Sequence, residues 1–209
     1  MKLRSGIDVD GVLVDQLTGW LKFYRSADHT HDTDPKALLH ITSYEEPGAI
    51  CGLCFSAVLK HPDSVYGCDL YEGLKEQLEL ARLHVDMTIV THRTPEVESA
   101  TLHWLEQQQV RHYFADVVIN GGSKAKICYD RHLHYHVDDS PNVAEDFARF
   151  REVALAEGIE EARLPQLLFI DRSYNRKVQG VPRFPALAGP GGALEFLIQE
   201  GIAYNDLHA

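Results

Sequence analysis

Basic residues are the first shortage. Twenty Lys and Arg stand against 31 Asp and Glu, a formal net charge of -11. The chain therefore lacks the clustered cations that neutralise a DNA or RNA backbone, and no nucleic-acid polymer is expected as a partner. A small anion can still be held in a local positive pocket. Although 44% of the residues are hydrophobic, no apolar run is long enough to span a bilayer, and the first residues lead into "LRSGIDVDG" without a signal-peptide core. No membrane association and a cytoplasmic location are the expectations. Cysteine is also scarce: Cys51, Cys54, Cys68 and Cys128 are too few for a disulfide framework in 209 residues and are expected as reduced thiols. Neither an internal repeat nor a low-complexity tract is present.

What is present is an alternation. Strand-like runs recur at "LRSGIDV" near Leu3, "DMTIVT" from Asp86, "DVVIN" from Asp116, "LHYHVDD" from Leu133 and "QLLFID" from Gln166. Between them lie stretches with apolar residues at helical spacing, such as Pro95 to Gln108 and Asn142 to Glu157. Such alternation predicts an α/β protein with a doubly wound, Rossmann-like parallel sheet and helices on both faces. From about Gln16 to Tyr71 the rhythm breaks, with helix-like pieces, a polar "ADHTHDTDP" and the breakers Pro47 and Pro62. The expected division is a core of residues 1–15 and 72–209, with a small helical cap, 16–71, inserted after the first strand.

The opening "GIDVDGVLVD" carries Asp8 and Asp10 inside an apolar, β-branched run that breaks at Gly11. Buried carboxylates are costly unless compensated. In open α/β sheets ligands bind beyond the carboxyl ends of the strands, and the period of two aims Asp8 and Asp10 to one side. Thr91 ends its own strand, and Asp138 and Asp139 end another. Acidic groups converging on one rim repel unless a cation sits among them, and hard oxygen ligands suit Mg²⁺. Lys124, the first residue of "KAKICYD", brings a compact positive charge to the same rim. Carboxylates, a hydroxyl, a lysine and a metal make a complete set for phosphoryl transfer.

These residues resemble a known family. "DVDGVLVD" is similar to motif I of the haloacid dehalogenase (HAD) superfamily of phosphatases, "TIVT" to motif II, Lys124 to motif III and "HVDDSP" to motif IV, in the expected order. "FIDRSYNR", Phe169 to Arg176, and a helical cap directly after motif I resemble the 5'(3')-deoxyribonucleotidase branch. The resemblance implies an Mg²⁺-dependent phosphomonoester hydrolase of the 5'-nucleotidase kind working through an aspartyl-phosphate. Asp8 would be the nucleophile and Asp10 the proton donor and acceptor. Thr91 and Lys124 would hold the transferring group, with His92 and Arg93 as further substrate-binding candidates. Asp8, Asp10 through its backbone carbonyl, Asp138 and Asp139 would form the metal site. The implied partner is a small phosphorylated substrate, a nucleoside monophosphate foremost, and a homodimer is compatible with the sequence. The alternatives are a phosphatase for another small ester, such as a sugar phosphate or phosphoglycolate, or a silent nucleotide-binding module.

Blander readings stand beside these. Asp8, Asp10 and Gly11 also suit a simple strand-ending turn, and Thr91 suits β propensity. Lys126 competes with Lys124, and one of Asp138 and Asp139 can serve as an orienting or capping carboxylate. Cys51, Cys54, His61 and Cys68 could staple a cap with Zn²⁺, although "GAICGLCFSAVL" reads better as an apolar helix. His29 and His31 read as an exposed loop. Arg172 and Arg176 could meet a phosphate or pair with surface acids. Phe55, Tyr66 and Tyr71 could stack on a base, although core packing is the commoner use, and Asp15 either caps a helix or faces the substrate.

Overall fold

In the computed structural model of the chain, residues 2–15, 65–119, 121–172 and 175–208 are described. Their main sheet has six parallel strands: β1 (Leu3–Ile7), β4 (Val85–Thr91), β5 (Phe114–Ile119), β6 (Tyr135–Asp138), β7 (Gln166–Ile170) and β8 (Arg183–Phe184). Two further strands, β2 (Val14–Asp15) and β3 (Asp69–Leu70), pair antiparallel beside it. The order across the main sheet is β5-β4-β1-β6-β7-β8. β1 is thus the inner strand from which the sheet winds in both directions, a doubly wound, Rossmann-like α/β fold.

Five helices follow: α1 (Leu74–Ala81), α2 (Glu98–Gln107), α3 (Lys124–Asp130), α4 (Pro141–Ala156) and α5 (Ala193–Leu207). The period of two along a strand decides which face each side chain meets. In β7, Leu168 and Ile170 join the cluster that holds Leu78 of α1, Trp104 of α2 and Leu197 of α5. Leu167 and Phe169 join the opposite cluster, with Ala125 and Cys128 of α3 and Val143 and Phe147 of α4. The sheet is therefore covered on both faces, which is why its strands read as near-continuous apolar runs.

Register fixes the rim. Ile7 pairs with Ile89 on one side and with Val137 on the other, and the Asp8 N–H donates to the Val137 carbonyl at 3.0 Å. Asp8 and Asp138 accordingly leave adjacent strands at one edge. The chain then turns tightly: Leu13 N–H reaches the Val9 carbonyl at 2.9 Å, and Gly11 takes φ +77°, a conformation suited to glycine.

Of the expected cap, 16–71, residues 16–64 lie outside the described residues, and with them Cys51, Cys54, His61, His29, His31 and Phe55. At the two ends of that segment Val14 pairs with Leu70 and Asp15 with Asp69. Among the described residues no helix is long and apolar enough to cross a membrane.

Candidate active site

The carboxyl ends of β1 and β6 bring Asp8, Asp138 and Asp139 together, all buried, with one carboxylate oxygen of each within 4.8 Å of the others. Lys124, at the first turn of α3 and only 1% exposed, reaches into this group. Its Nζ lies 2.8 Å from Asp8 Oδ1 and 2.7 Å from Asp138 Oδ2. The position of Lys124 is itself braced. Ser123 caps α3 by accepting from Lys126 N–H, while Asp146 of α4 accepts from the Ser123 hydroxyl at 3.1 Å and from the Ala125 N–H at 3.0 Å. The rival lysine, Lys126, is exposed and pairs with Asp130 one turn on.

Burial pushes the Asp8 carboxyl up to about 6, against the opposing pull of Lys124. Burial would raise Asp138 too, but Lys124 and a hydrogen bond from His136 outweigh it and hold Asp138 well below the usual carboxylate range. Burial likewise disfavours a charged Lys124, yet its two carboxylates prevail and its ammonium is held above the ordinary lysine range. Asp138 is saturated with donors: Lys124 and His136 on Oδ2, the latter at 3.0 Å, and the Ser140 N–H on Oδ1 at 2.9 Å. Asp139 lies against Gly11, where a Cβ would come 2.0 Å from its Oδ2. The missing side chain of Gly11 is the space this carboxylate occupies.

The group tests well for a divalent cation. Three buried carboxylates converge beside Lys124, a set of hard oxygen donors that suits a cation such as Mg²⁺.

Asp10 does not join that cluster. Its two oxygens accept from Arg93, Nη2 to Oδ1 at 2.7 Å and Nε to Oδ2 at 2.8 Å. Arg93 is 2% exposed, and its Nη1 donates to the Thr101 hydroxyl of α2 at 3.1 Å. A planar fork on a carboxylate is geometrically demanding, so Arg93, expected as a substrate-binding residue, spends its donors on Asp10 and Thr101. Thr91 ends β4, buried, and its hydroxyl accepts from the Arg93 N–H at 3.4 Å. His92 is half-buried, and its Nε2 lies 2.9 Å from the Gly122 carbonyl. Burial and the nearby Lys124 hold its imidazole below the usual range.

Sequence reasoning missed Asn175. Its side chain is fully buried: Nδ2 donates to the carbonyls of Asp139 and Ile170, both at 2.8 Å, and Oδ1 accepts from Arg172 N–H at 3.0 Å and Arg183 Nη2 at 2.8 Å. This one amide ties the loop after β7 to Asp139. The signal was an asparagine within "RSYNR", where attention fell on the arginines. Of these, Arg176 is exposed, whereas Arg172 reaches back to the rim. Its Nη2 donates to the Gly11 carbonyl at 2.6 Å and to the Tyr71 hydroxyl at 3.2 Å, and its guanidinium lies 5.3 Å from the Tyr71 ring centroid. Asp15 sits half-buried in β2 opposite Asp69, and the segment it was expected to cap lies outside the described residues. Cys68 is buried, and burial pushes its thiol up to about 12.

Neither a family model nor a curated protein matches the sequence. Solved structures do resemble the fold. A HAD-superfamily hydrolase from Ehrlichia chaffeensis matches at TM-score 0.50 and 14% identity, over 95% of this chain and 98% of that one. Protein Tyrosine Kinase A from Mycobacterium tuberculosis matches at TM-score 0.52 and 14% identity, over 94% of this chain and 98% of that one. The chain thus has the α/β fold of HAD-superfamily hydrolases. A hydrolase and a protein named as a kinase share this fold, so chemistry must be argued from the site.

Proposed function

We propose that the protein is a Mg²⁺-dependent phosphomonoester hydrolase working through an aspartyl-phosphate on Asp8. The observation that carries this reading is the Asp8, Lys124, Asp138, Asp139 group beside a separately held Asp10. Lys124, 2.8 Å from Asp8 Oδ1, opposes the upward push of burial and favours the ionised Asp8 that a nucleophile requires. Lys124 neutralises part of the charge that Asp8 and an incoming phosphate bring together. Asp138, whose oxygens already accept from Lys124, His136 and Ser140, orients the lysine. Asp139 and Asp8 would be direct ligands of the metal, and the carbonyl of Asp10 a third. When bound, Mg²⁺ supplies charge neutralisation and aligns the phosphoryl oxygens.

In the first step, with Asp10 having taken a proton from solvent as one of its oxygens leaves the Arg93 fork, an Asp8 oxygen bonds to phosphorus and the ester P–O bond breaks, the leaving oxygen taking that proton. In the second, Asp10 accepts a proton from water, the water oxygen bonds to phosphorus, and the bond to Asp8 breaks. Phosphate leaves and both carboxyl groups return to their starting state. For either transfer Asp10 must free one oxygen from the Arg93 fork. Thr91 would hydrogen-bond the transferring group, and His92 lies at the same rim.

The likeness of "FIDRSYNR" and the position of the insert support a nucleoside monophosphate as substrate. A second reading, another small phosphate ester, is favoured by Arg172, whose guanidinium stands at the rim. The test is a phosphate-release screen across nucleotides and sugar phosphates with and without Mg²⁺, alongside Asp8→Asn. Turnover that needs Mg²⁺ and falls about a thousandfold or more in Asp8→Asn is expected. A substituted protein as fast as wild type would remove Asp8 from the chemistry.

A further inference from the structure

We propose that Arg172 receives a second anionic group carried on the departing part of the substrate, so that the preferred substrates are phosphate esters bearing a carboxylate or another phosphate. The inference rests on the phosphomonoesterase reading, in which Asp10 faces the leaving oxygen. Three cations stand at the rim. Lys124 is neutralised by Asp8 and Asp138, and Arg93 by Asp10. Among the described residues no carboxylate pairs with Arg172; its head is spent on the Gly11 carbonyl, the Tyr71 hydroxyl and, from Nη1, the Asp171 carbonyl at 3.2 Å. Its Nε is buried without a hydrogen-bond partner.

A half-buried guanidinium that no carboxylate among the described residues neutralises suits an anion as its partner. The head is also already ordered: one edge is fixed by Gly11, its plane lies near Tyr71, and its own N–H is held by Asn175. Little rotamer entropy remains to be lost on binding. Its place fits the departing group better than the transferred one. Gly11 directly follows Asp10, and Tyr71 directly follows β3, whereas Lys124 and Thr91 leave from the other elements of the rim.

The experiment compares kcat/KM within matched pairs, 2-phosphoglycolate against ethyl phosphate, and a nucleoside 3',5'-bisphosphate against the 5'-monophosphate. Wild type, Arg172→Lys and Arg172→Gln are used, each first checked for an unshifted thermal midpoint. Wild type is expected to prefer the more anionic member of one pair by about tenfold or more, the pair identifying carboxylate or phosphate. Arg172→Gln should erase that preference, chiefly through KM, and Arg172→Lys should retain part of it. Equal losses on both members would reduce Arg172 to an anchor of the Gly11 turn, and no preference in wild type would likewise overturn the proposal. If wild type hydrolysed none of the four esters and Asp8→Asn bound them equally in the two members of each pair, the phosphatase reading and this one would fall together. Selective binding of the anionic members to Asp8→Asn without turnover would sink the phosphatase reading alone.

Discussion

Asn175 offers the sharpest quantitative test of how the rim is held. Replacing it with Ala removes two donated bonds, to the Asp139 and Ile170 carbonyls, and two accepted ones, from the Arg172 N–H and from Arg183. The side chain is 0% exposed, so water cannot replace these partners without opening the loop. At about 1 kcal/mol for each bond lost, the expected cost is about 3–4 kcal/mol once relaxation around the part-buried Arg183 bond is allowed for. In a protein of this size that lowers Tm by about 6–16 °C. Asn175→Asp should be worse, because a carboxylate would turn acceptors toward two carbonyl oxygens and bury a charge. Because the amide holds Asp139 by its carbonyl, half-saturation of activity by Mg²⁺ should rise about tenfold in whatever fraction of Asn175→Ala remains folded. Thermal unfolding followed by circular dichroism and a Mg²⁺ titration of phosphate release measure the two effects. A melting point within about 2 °C of wild type, or an unchanged Mg²⁺ requirement, would refute the claim that this network positions Asp139.

Other outcomes follow from the same geometry. Gly11→Ala should abolish turnover in a phosphate-release assay, since its Cβ would meet the Asp139 carboxylate and a positive φ is strained for alanine; near-normal rates would show that Asp139 is not needed where it lies. Lys124→Met should cost activity about a hundredfold or more, while Lys126→Met, which loses only an exposed pair with Asp130, should change rate and Tm little; the reverse pattern would exchange the two lysines. Alkaline titration should destabilise the fold. Burial pushes Cys68, Cys128 and, helped by Glu200, Tyr135 up to about 12 from ordinary values of 9.0, 9.0 and 10.0. The unfolded chain therefore gives up these protons first, so the stability they contribute is full below about pH 9 and is lost as pH rises to about 12. Urea midpoints that stay level from pH 9 to 11 would contradict this, as would rapid alkylation of Cys128 in the folded protein at pH 8.

Much of the sheet is legible because its strands are buried on both faces. The runs at Leu3, Asp86, Asp116, Leu133 and Gln166 fall on β1, β4, β5, β6 and β7. β8 was not legible: Arg183 and Phe184 are two half-buried residues placed by distant partners, Phe169 N–H donating to the Pro182 carbonyl at 2.8 Å, Asp171 N–H to the Phe184 carbonyl at 2.7 Å and Arg183 Nη2 to Asn175 Oδ1 at 2.8 Å. Strand order also escapes a local reading, because β1 meets β6 only after two other strands of the same sheet, β4 and β5, have been laid down in sequence. At the rim, the aspartates and Lys124 stand out because charge in apolar surroundings demands compensation. The Arg93 fork and the roles of Asn175 and Asp146 do not, because each depends on a partner far along the chain and each residue type is ordinary in a loop or on a helix surface.

The antiparallel pair of β2 and β3 brings together positions far apart in the sequence, Asp15 lying opposite Asp69. Closing a loop whose ends already meet costs little more as the loop lengthens. The six-stranded sheet is therefore indifferent to how many residues lie between those strands. A short turn spliced from Asp15 to Asp69 should then leave the sheet and its rim standing, as circular dichroism and a thermal melt would show.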